Sequence, residues 1–201
     1  MVSEQIKKGE YMDNYTVRIA TTDDAEELLS IYGPYVEKTA ISFEYDIPTV
    51  EEFRERIVNT LKKYPYLVAI DSNEQIVGYC YCGTFKARAA YDYSVETTIY
   101  LRGDSKGKGI GKLLYDKLEE YAKLQNIKNL NACIATCEVE DETLTNASSR
   151  FHERLGYRLV GEFLKCGYKF DRWYNMVWME KLIGTHESKP EPFIPFSELT
   201  I

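Results

Sequence analysis

Histidine is scarce in this 201-residue chain, which has only His152 and His186. A metal site would therefore have to rest on cysteine. The five cysteines, Cys80, Cys82, Cys133, Cys137 and Cys166, fall at spacings that match no standard zinc pattern, so no metal is expected. Their number is odd and there is no secretory context, so they read as reduced thiols. Cys80 and Cys82, two apart in a strand-like run, read as small apolar side chains on one sheet face. Long apolar runs are also lacking, so no segment is expected to cross a bilayer. Met1 to Glu10 is polar and has no apolar leader region. These absences predict a cytoplasmic protein with no membrane partner. Nor is there a basic excess: 25 Lys and Arg against 32 Asp and Glu give −7 at neutral pH and a pI near 5.1. A general nucleic-acid binder needs the opposite field to displace counterions, so no nucleic-acid partner is expected. A local basic pocket for a small anion stays possible.

What is present is one core's worth of chain, with 44% hydrophobic residues. Tyr15 to Ala20 alternates as a strand. Thr21 to Asp24 caps a helix from Ala25 to Tyr32, which Gly33-Pro34 is expected to break. Thr49 and Glu52 form a capping box for a second helix to about Lys63, with Phe53, Ile57 and Leu61 on one face. Tyr66 to Ile70 and Gln75 to Phe85 flank a turn cluster and read as a hairpin. A polar and aromatic loop, Lys86 to Tyr93, leads to a strand at Val95 to Leu101. A glycine-rich stretch follows, then a long helix to about Gln125. A strand at Asn131 to Ala135, a short helix at Asn146 to Leu155, and strands at Tyr157 to Phe163 and Asn175 to Lys181 complete the order. The division is a loose tail over residues 1–14, one domain over 15–183 and an extended proline-containing arm over 184–201. The class is α/β, with a single mixed central β-sheet flanked by helices.

The strongest local signal is Lys106-Gly107-Lys108-Gly109-Ile110-Gly111, between a strand and a helix. Glycines let backbone turn tightly and approach a ligand, and amides at a helix start point outward with the dipole behind them. Such a turn holds a phosphate or pyrophosphate; the plainer alternative is a glycine-rich turn and nothing more. A Rossmann fingerprint fails at Lys112 and Leu114, and a Walker loop fails because Gly103 and Gly107 are separated by three residues. Glu96 lies inside the strand Val95 to Leu101, where glutamate is disfavoured, and faces opposite to Val95, Thr97 and Ile99. It is a candidate base; the alternative is an edge charge in solvent. Lys86 and Arg88, two apart, with Tyr91 could clamp a carboxylate or another oxyanion, or be a solvated basic loop.

Taken together, the strand, the Lys106–Gly111 loop and the following helix resemble the cofactor motif of the GNAT acetyltransferase superfamily. The run Lys86-Ala87-Arg88-Ala89-Ala90-Tyr91-Asp92-Tyr93 followed by Ser94 to Tyr100 narrows this. So do Phe151-His152-Glu153-Arg154-Leu155-Gly156-Tyr157 and Gly167 to Trp173. They resemble the phosphinothricin, methionine sulfone and methionine sulfoximine N-acetyltransferases over about Thr16 to Leu182. Two departures stand out: Thr145 holds the place, three residues before Ser148, of a frequent Asn, leaving Asn146 one step off that place, and Glu138 to Thr143 is a long acidic segment.

The resemblance implies the GNAT fold and acetyl-CoA as co-substrate, with its pyrophosphate on Lys106, Gly107, Lys108, Gly109, Ile110 and Gly111. It implies a pantetheine arm along Ile99, Tyr100 and Leu101, with Asn146 and Ser148 nearby. Acetyl transfer needs a neutral amine, a stabilised oxyanion and a proton for the thiolate. An α-amine titrates near pH 8, so a base helps. Glu96 takes that role, with His152 and Tyr115 as further catalytic candidates and Lys86, Arg88 and Tyr91 as substrate-binding candidates. Packing is the other reading for His152 and Tyr115. The expected reaction is direct attack by a small amino acid or analogue in a ternary complex; the alternative is a non-catalytic module that binds acetyl-CoA or an amino acid. The resemblance also implies a homodimer.

Overall fold

The computed structural model describes residues 14–200. All but Asn14 of the expected N-terminal tail lies outside them. One seven-stranded sheet runs in the order β1-β2-β3-β4-β5-β7-β6. Its strands are β1 (Tyr15–Ile19), β2 (Tyr66–Asp71), β3 (Ile76–Thr84), β4 (Ser94–Leu101), β5 (Asn129–Thr136), β6 (Arg158–Lys169) and β7 (Arg172–Leu182). Every neighbouring pair is antiparallel except β4 and β5. The helices are α1 (Ala25–Lys38), α2 (Val50–Lys63), α3 (Ile110–Leu124) and α4 (Ala147–Arg154). This is the mixed sheet flanked by helices that the element order implied.

The sheet separates two cores. On one face α1 and α2 bury Leu28, Ile31, Tyr32, Tyr35, Phe53 and Ile57 against Tyr66, Val68 and Tyr79. On the other, α3 buries Ile110, Leu114, Leu118 and Tyr121 against Leu67, Cys80, Cys82, Val95 and Leu130. Alternation along β4 assigns its side chains accordingly: Ile99 packs on the α3 side and Tyr100 on the α1 side.

The expected break in α1 does not occur. The helix continues through Pro34 to Lys38. Proline's φ suits a helix and its missing N–H forfeits one bond, costing about 3 kcal/mol. Burying Tyr35 and Val36, which follow the proline, outweighs that. Thr49 and Glu52 do form the capping box of α2: the Glu52 amide donates to Thr49 Oγ1 at 3.2 Å and the Thr49 amide to Glu52 Oε2 at 2.6 Å.

Strands β6 and β7 extend further toward each other than Phe163 and Asn175. They meet in a two-residue turn whose central residues, Phe170 and Asp171, have φ of 49° and 55°. Such turns are usually announced by Asn-Gly or Asp-Gly, and this one is not. The expected arm is seated on its own chain. Phe196 is buried against Tyr121, the Ile194 amide and carbonyl both bond Gln125, and Ser197 Oγ donates to the Lys62 carbonyl.

Candidate active site

The site follows from the one parallel pairing. β4 and β5 stay in register for only three residues, Ser94, Val95 and Glu96 opposite Asn129, Leu130 and Asn131. Beyond them the strands part. Side chains close the fork: Thr97 Oγ1 donates to the Asn131 carbonyl at 3.1 Å, and Asn131 Nδ2 to the Val95 carbonyl at 3.1 Å. Past the fork a cavity of about 640 Å³ opens between the strands, lined by Glu96, Thr97, Tyr115, Cys133, Ser148 and His152 among others. A groove of about 410 Å³ continues from it, sharing Ile41, Ile99 and Ser148, and ends at Lys106, Gly107, Gly109 and Gly111.

The loop at the groove's end has the conformation its glycines permit. Gly107 and Gly109 have φ of 78° and 85°, a region that non-glycine residues reach only with strain. Gly109 is the residue from which α3 starts, so first-turn amides face the groove. Gly111 serves a different need: a Cβ there would lie 3.0 Å from the Phe151 ring, so its absence lets α3 approach α4. Lys106 lines the groove, its Nζ 4.8 Å from the Tyr35 ring centre. Lys108 is exposed and Ile110 points its side chain into the core; neither lines the groove. The Leu101 carbonyl accepts the Tyr35 hydroxyl at 2.5 Å, and the Tyr100 ring packs among Tyr32, Tyr35 and Tyr79.

Tyr115, His152 and Ser148 form a chain. The Ser148 carbonyl can only accept, so His152 Nδ1, 2.8 Å away, carries the proton. Burial holds the imidazole pKa below its usual value, against the pull of that carbonyl, so the ring is neutral. Nε2 then accepts from the Tyr115 hydroxyl, 3.0 Å away. Tyr115 is buried as well, and burial holds its hydroxyl well above the ordinary phenol pKa. It is a proton donor at neutral pH and not an anion. Glu96 faces the same cavity. Partial burial raises its carboxyl pKa, opposed by the charge of Lys86. A carboxylate with a raised pKa is a stronger base.

The structure separates other expected partners. Asn146 lines neither this groove nor the Glu96 cavity: its side chain brackets Cys137, accepting from the amide at 3.1 Å and donating to the carbonyl at 3.0 Å. Thr145, in the place of the frequent Asn, lines the groove instead, with Phe151 and Arg154. Sequence reasoning passed over Arg154 as a site residue, although Ser148, Phe151 and Arg154 are spaced three apart along α4 and Thr145 stands just before it. Lys86, Arg88 and Tyr91 are exposed on the loop before β4. Of these, Lys86 reaches Glu96 electrostatically, its ammonium resting 5.6 Å from the Trp178 ring centre. None of Lys86, Arg88 and Tyr91 lines the cavity. Its other wall comes from Ile41, Ser42, Phe43 and Glu44, between α1 and α2. Among the described residues no group of three or more His, Cys, Asp or Glu side chains is arranged to hold a metal ion, and no helix is long and apolar enough to cross a membrane.

A sheet forked at its one parallel pair, with a glycine turn opening a helix beside the fork, defines an acyltransferase architecture. The family model for the acetyltransferase (GNAT) domain matches residues 17–178, and the chain belongs to the GNAT acetyltransferases. It is 34% identical over 168 residues to a phosphinothricin N-acetyltransferase of Streptomyces coelicolor, covering 82% of this chain and 94% of the relative. It is 30% identical over 176 residues to an L-methionine sulfoximine/L-methionine sulfone acetyltransferase of Pseudomonas paraeruginosa, covering 87% and 98%. A crystal structure of a GNAT superfamily phosphinothricin acetyltransferase from Sinorhizobium meliloti, in complex with acetyl-CoA, superposes with a TM-score of 0.81. That match is at 30% identity over 91% of this chain and 97% of the other.

Proposed function

We propose that the protein transfers the acetyl group of acetyl-CoA to the amine of a small amino acid or analogue, of the phosphinothricin, methionine sulfone or methionine sulfoximine type. The observation that carries this reading is the convergence of Glu96, Tyr115 and His152 on one cavity continuous with the glycine-turn groove. The groove suits acetyl-CoA. Two left-handed glycines and a helix start offer amides to a diphosphate, and Lys106 adds a cation. When bound, acetyl-CoA supplies the activated acyl carbon.

The chain's own groups account for the protons. Glu96 accepts the proton that the amine gives up as it attacks in a ternary complex. Tyr115 turns its hydroxyl proton from His152 Nε2 to the departing thiolate and regains a proton from water as the products leave; neutral His152, whose orientation the Ser148 carbonyl fixes, holds the hydroxyl in place between turnovers. Burial supports both assignments, because it raises the Glu96 carboxyl and keeps Tyr115 protonated. Lys86 lies on the side of Glu96 where an acceptor carboxylate would be neutralised.

The test is release of free coenzyme A from acetyl-CoA with the three acceptors named, alongside a panel of other amines. Turnover confined to small amino acids supports the reading. Acetyl-CoA binding without turnover across the panel overturns it in favour of a binding module. The reduced thiols support a cytoplasmic setting. We also propose a homodimer. β6 is an edge strand with Leu159, Val160, Phe163 and Leu164 exposed, a surface suited to a second copy. Light scattering at the monomer mass overturns that part.

A further inference from the structure

One wall of the Glu96 cavity depends on a residue that does not line it. Ile41, Ser42, Phe43 and Glu44 form that wall and belong to the connection between α1 and α2. Such a connection carries backbone groups that no regular structure pairs. Lys169, at the end of β6, supplies donors to them. It is 4% exposed, and its ammonium donates to the carbonyls of Val36 at 2.7 Å, Thr39 at 3.0 Å and Ser42 at 2.8 Å. Those oxygens can only accept, so the three bonds need three protons on the nitrogen, and the group is a full ammonium. Val36 stands in the last turn of α1 and Thr39 at its C-cap, where helix carbonyls lack donors and a cation is favoured. Ser42 belongs to the wall itself. One side chain therefore ties the end of α1 to the face that closes the cavity.

The hairpin tip that carries Lys169 is itself tightly held. Phe170 and Asp171, the next two residues, both have positive φ, which a bulky side chain adopts only where its surroundings impose it. The Phe170 ring centre lies 5.2 Å from the Lys169 ammonium, and the Tyr168 and Trp173 rings meet across the two strands at 5.0 Å. Two more contacts run from this tip to the wall. The Tyr45 hydroxyl donates to the Tyr168 carbonyl at 2.5 Å. Phe43 lies against Gly167 so closely that a Cβ on the glycine would be 2.4 Å from its ring. Three consecutive residues of the hairpin, 167 to 169, thus each fix a point on the chain between α1 and α2.

We propose that Lys169, with the hairpin tip that carries it, is the positioning residue of the acceptor site. It sets the place of the Ile41–Glu44 wall, and through it the affinity for the acceptor, without touching either substrate. This rests on the acetyltransferase reading above. The groove for acetyl-CoA lies at the other end, at the glycine turn and α4, and neither Lys169 nor Tyr45 lines it. Loss of the anchor is therefore felt by one substrate and not by the other.

Lys169→Met keeps the length of the side chain and removes its three donors. With whichever of the three acceptors above the unaltered protein turns over, acceptor KM is expected to rise about tenfold and kcat to stay within about threefold. Acetyl-CoA affinity by calorimetry stays unchanged. Backbone hydrogen exchange quickens in residues 39–45 and not in residues 106–111. Two further variants separate positioning from a plain loss of stability. Lys117→Met removes another buried lysine, on α3 and paired with Glu120 at 2.8 Å, and is expected to leave acceptor KM alone. Tyr45→Phe removes only a hydroxyl from a residue that is 68% exposed, so the fold is kept even if Lys169→Met does not fold. Its acceptor KM is expected to rise about threefold. Unchanged acceptor KM in Tyr45→Phe or in folded Lys169→Met overturns the proposal, as does an equal loss of acetyl-CoA affinity or an equal rise in Lys117→Met. Each of these leaves the acetyltransferase reading standing. Acetyl-CoA binding by the unaltered protein with no turnover of any acceptor overturns both.

Discussion

The fork between β4 and β5 joins two half-sites made of different materials. On the α3 and α4 side, the groove is one local stretch of chain: a strand end, two left-handed glycines and a helix start, supplying backbone amides. On the α1 and α2 side, the wall is assembled from segments far apart in sequence and is lined by side chains. Lys169 reaches Val36, 133 residues away, and Tyr45 reaches the Tyr168 carbonyl, 123 residues away. Backbone recognition tolerates drift in side chains and suits a ligand shared by a whole family. A wall of side chains changes with each substitution and suits the partner that varies from one enzyme to the next.

That contrast predicts effects on one side that spare the other. The largest belongs to Glu96→Gln, which is expected to lower kcat by about 10³-fold while calorimetry shows acetyl-CoA binding unchanged. A matched loss of cofactor affinity would place Glu96 in the groove and blur the division. Tyr115→Phe comes next, with a loss of about 10²-fold in kcat and little change in either KM. Full activity in that variant assigns thiolate protonation to water. Gly109→Ala forces a Cβ onto a residue with φ of 85°. The strain at the start of α3 is expected to weaken acetyl-CoA about tenfold and leave acceptor KM alone. An acceptor-side effect of equal size would mean the half-sites share more than the fork.

The smallest expected effect is a pH shift. With Glu96 as the proposed base, kcat/KM is expected to fall as pH drops through its pKa, which burial raises. Lys86 opposes that rise. Lys86→Ala is therefore expected to move the acidic limb to higher pH by a few tenths of a unit. A limb that stays in place separates Lys86 from Glu96 altogether.

Legibility in the sequence follows the same line. The glycine turn, α3 with its buried stripe, the capping box at Thr49 and the strand bearing Glu96 are all local patterns, and all stand where the pattern put them. What stayed hidden depends on tertiary contact. Pro34 reads as a break because only the sheet beneath α1 supplies the burial that overrides it. The β6–β7 turn lacks glycine at both positive-φ positions, so its strands looked shorter. Asn146 drew attention as a near match to a motif, whereas its amide is spent on Cys137 and Thr145 stands at the groove.

The span that the family model matches and the span that packs together are not the same length. The match to the acetyltransferase (GNAT) domain model stops at residue 178, yet β7 runs on to Leu182, and Phe196 plugs the core beside Tyr121 while the Gln125 amide donates to the carbonyls of both Lys63 and Ile194. A fragment trimmed to the span of that domain model would leave an aromatic-sized hole at the end of the central helix and take away one of the two acceptors of the Gln125 amide. Anyone cutting this enzyme down for crystallisation or fusion should place the scissors beyond the arm.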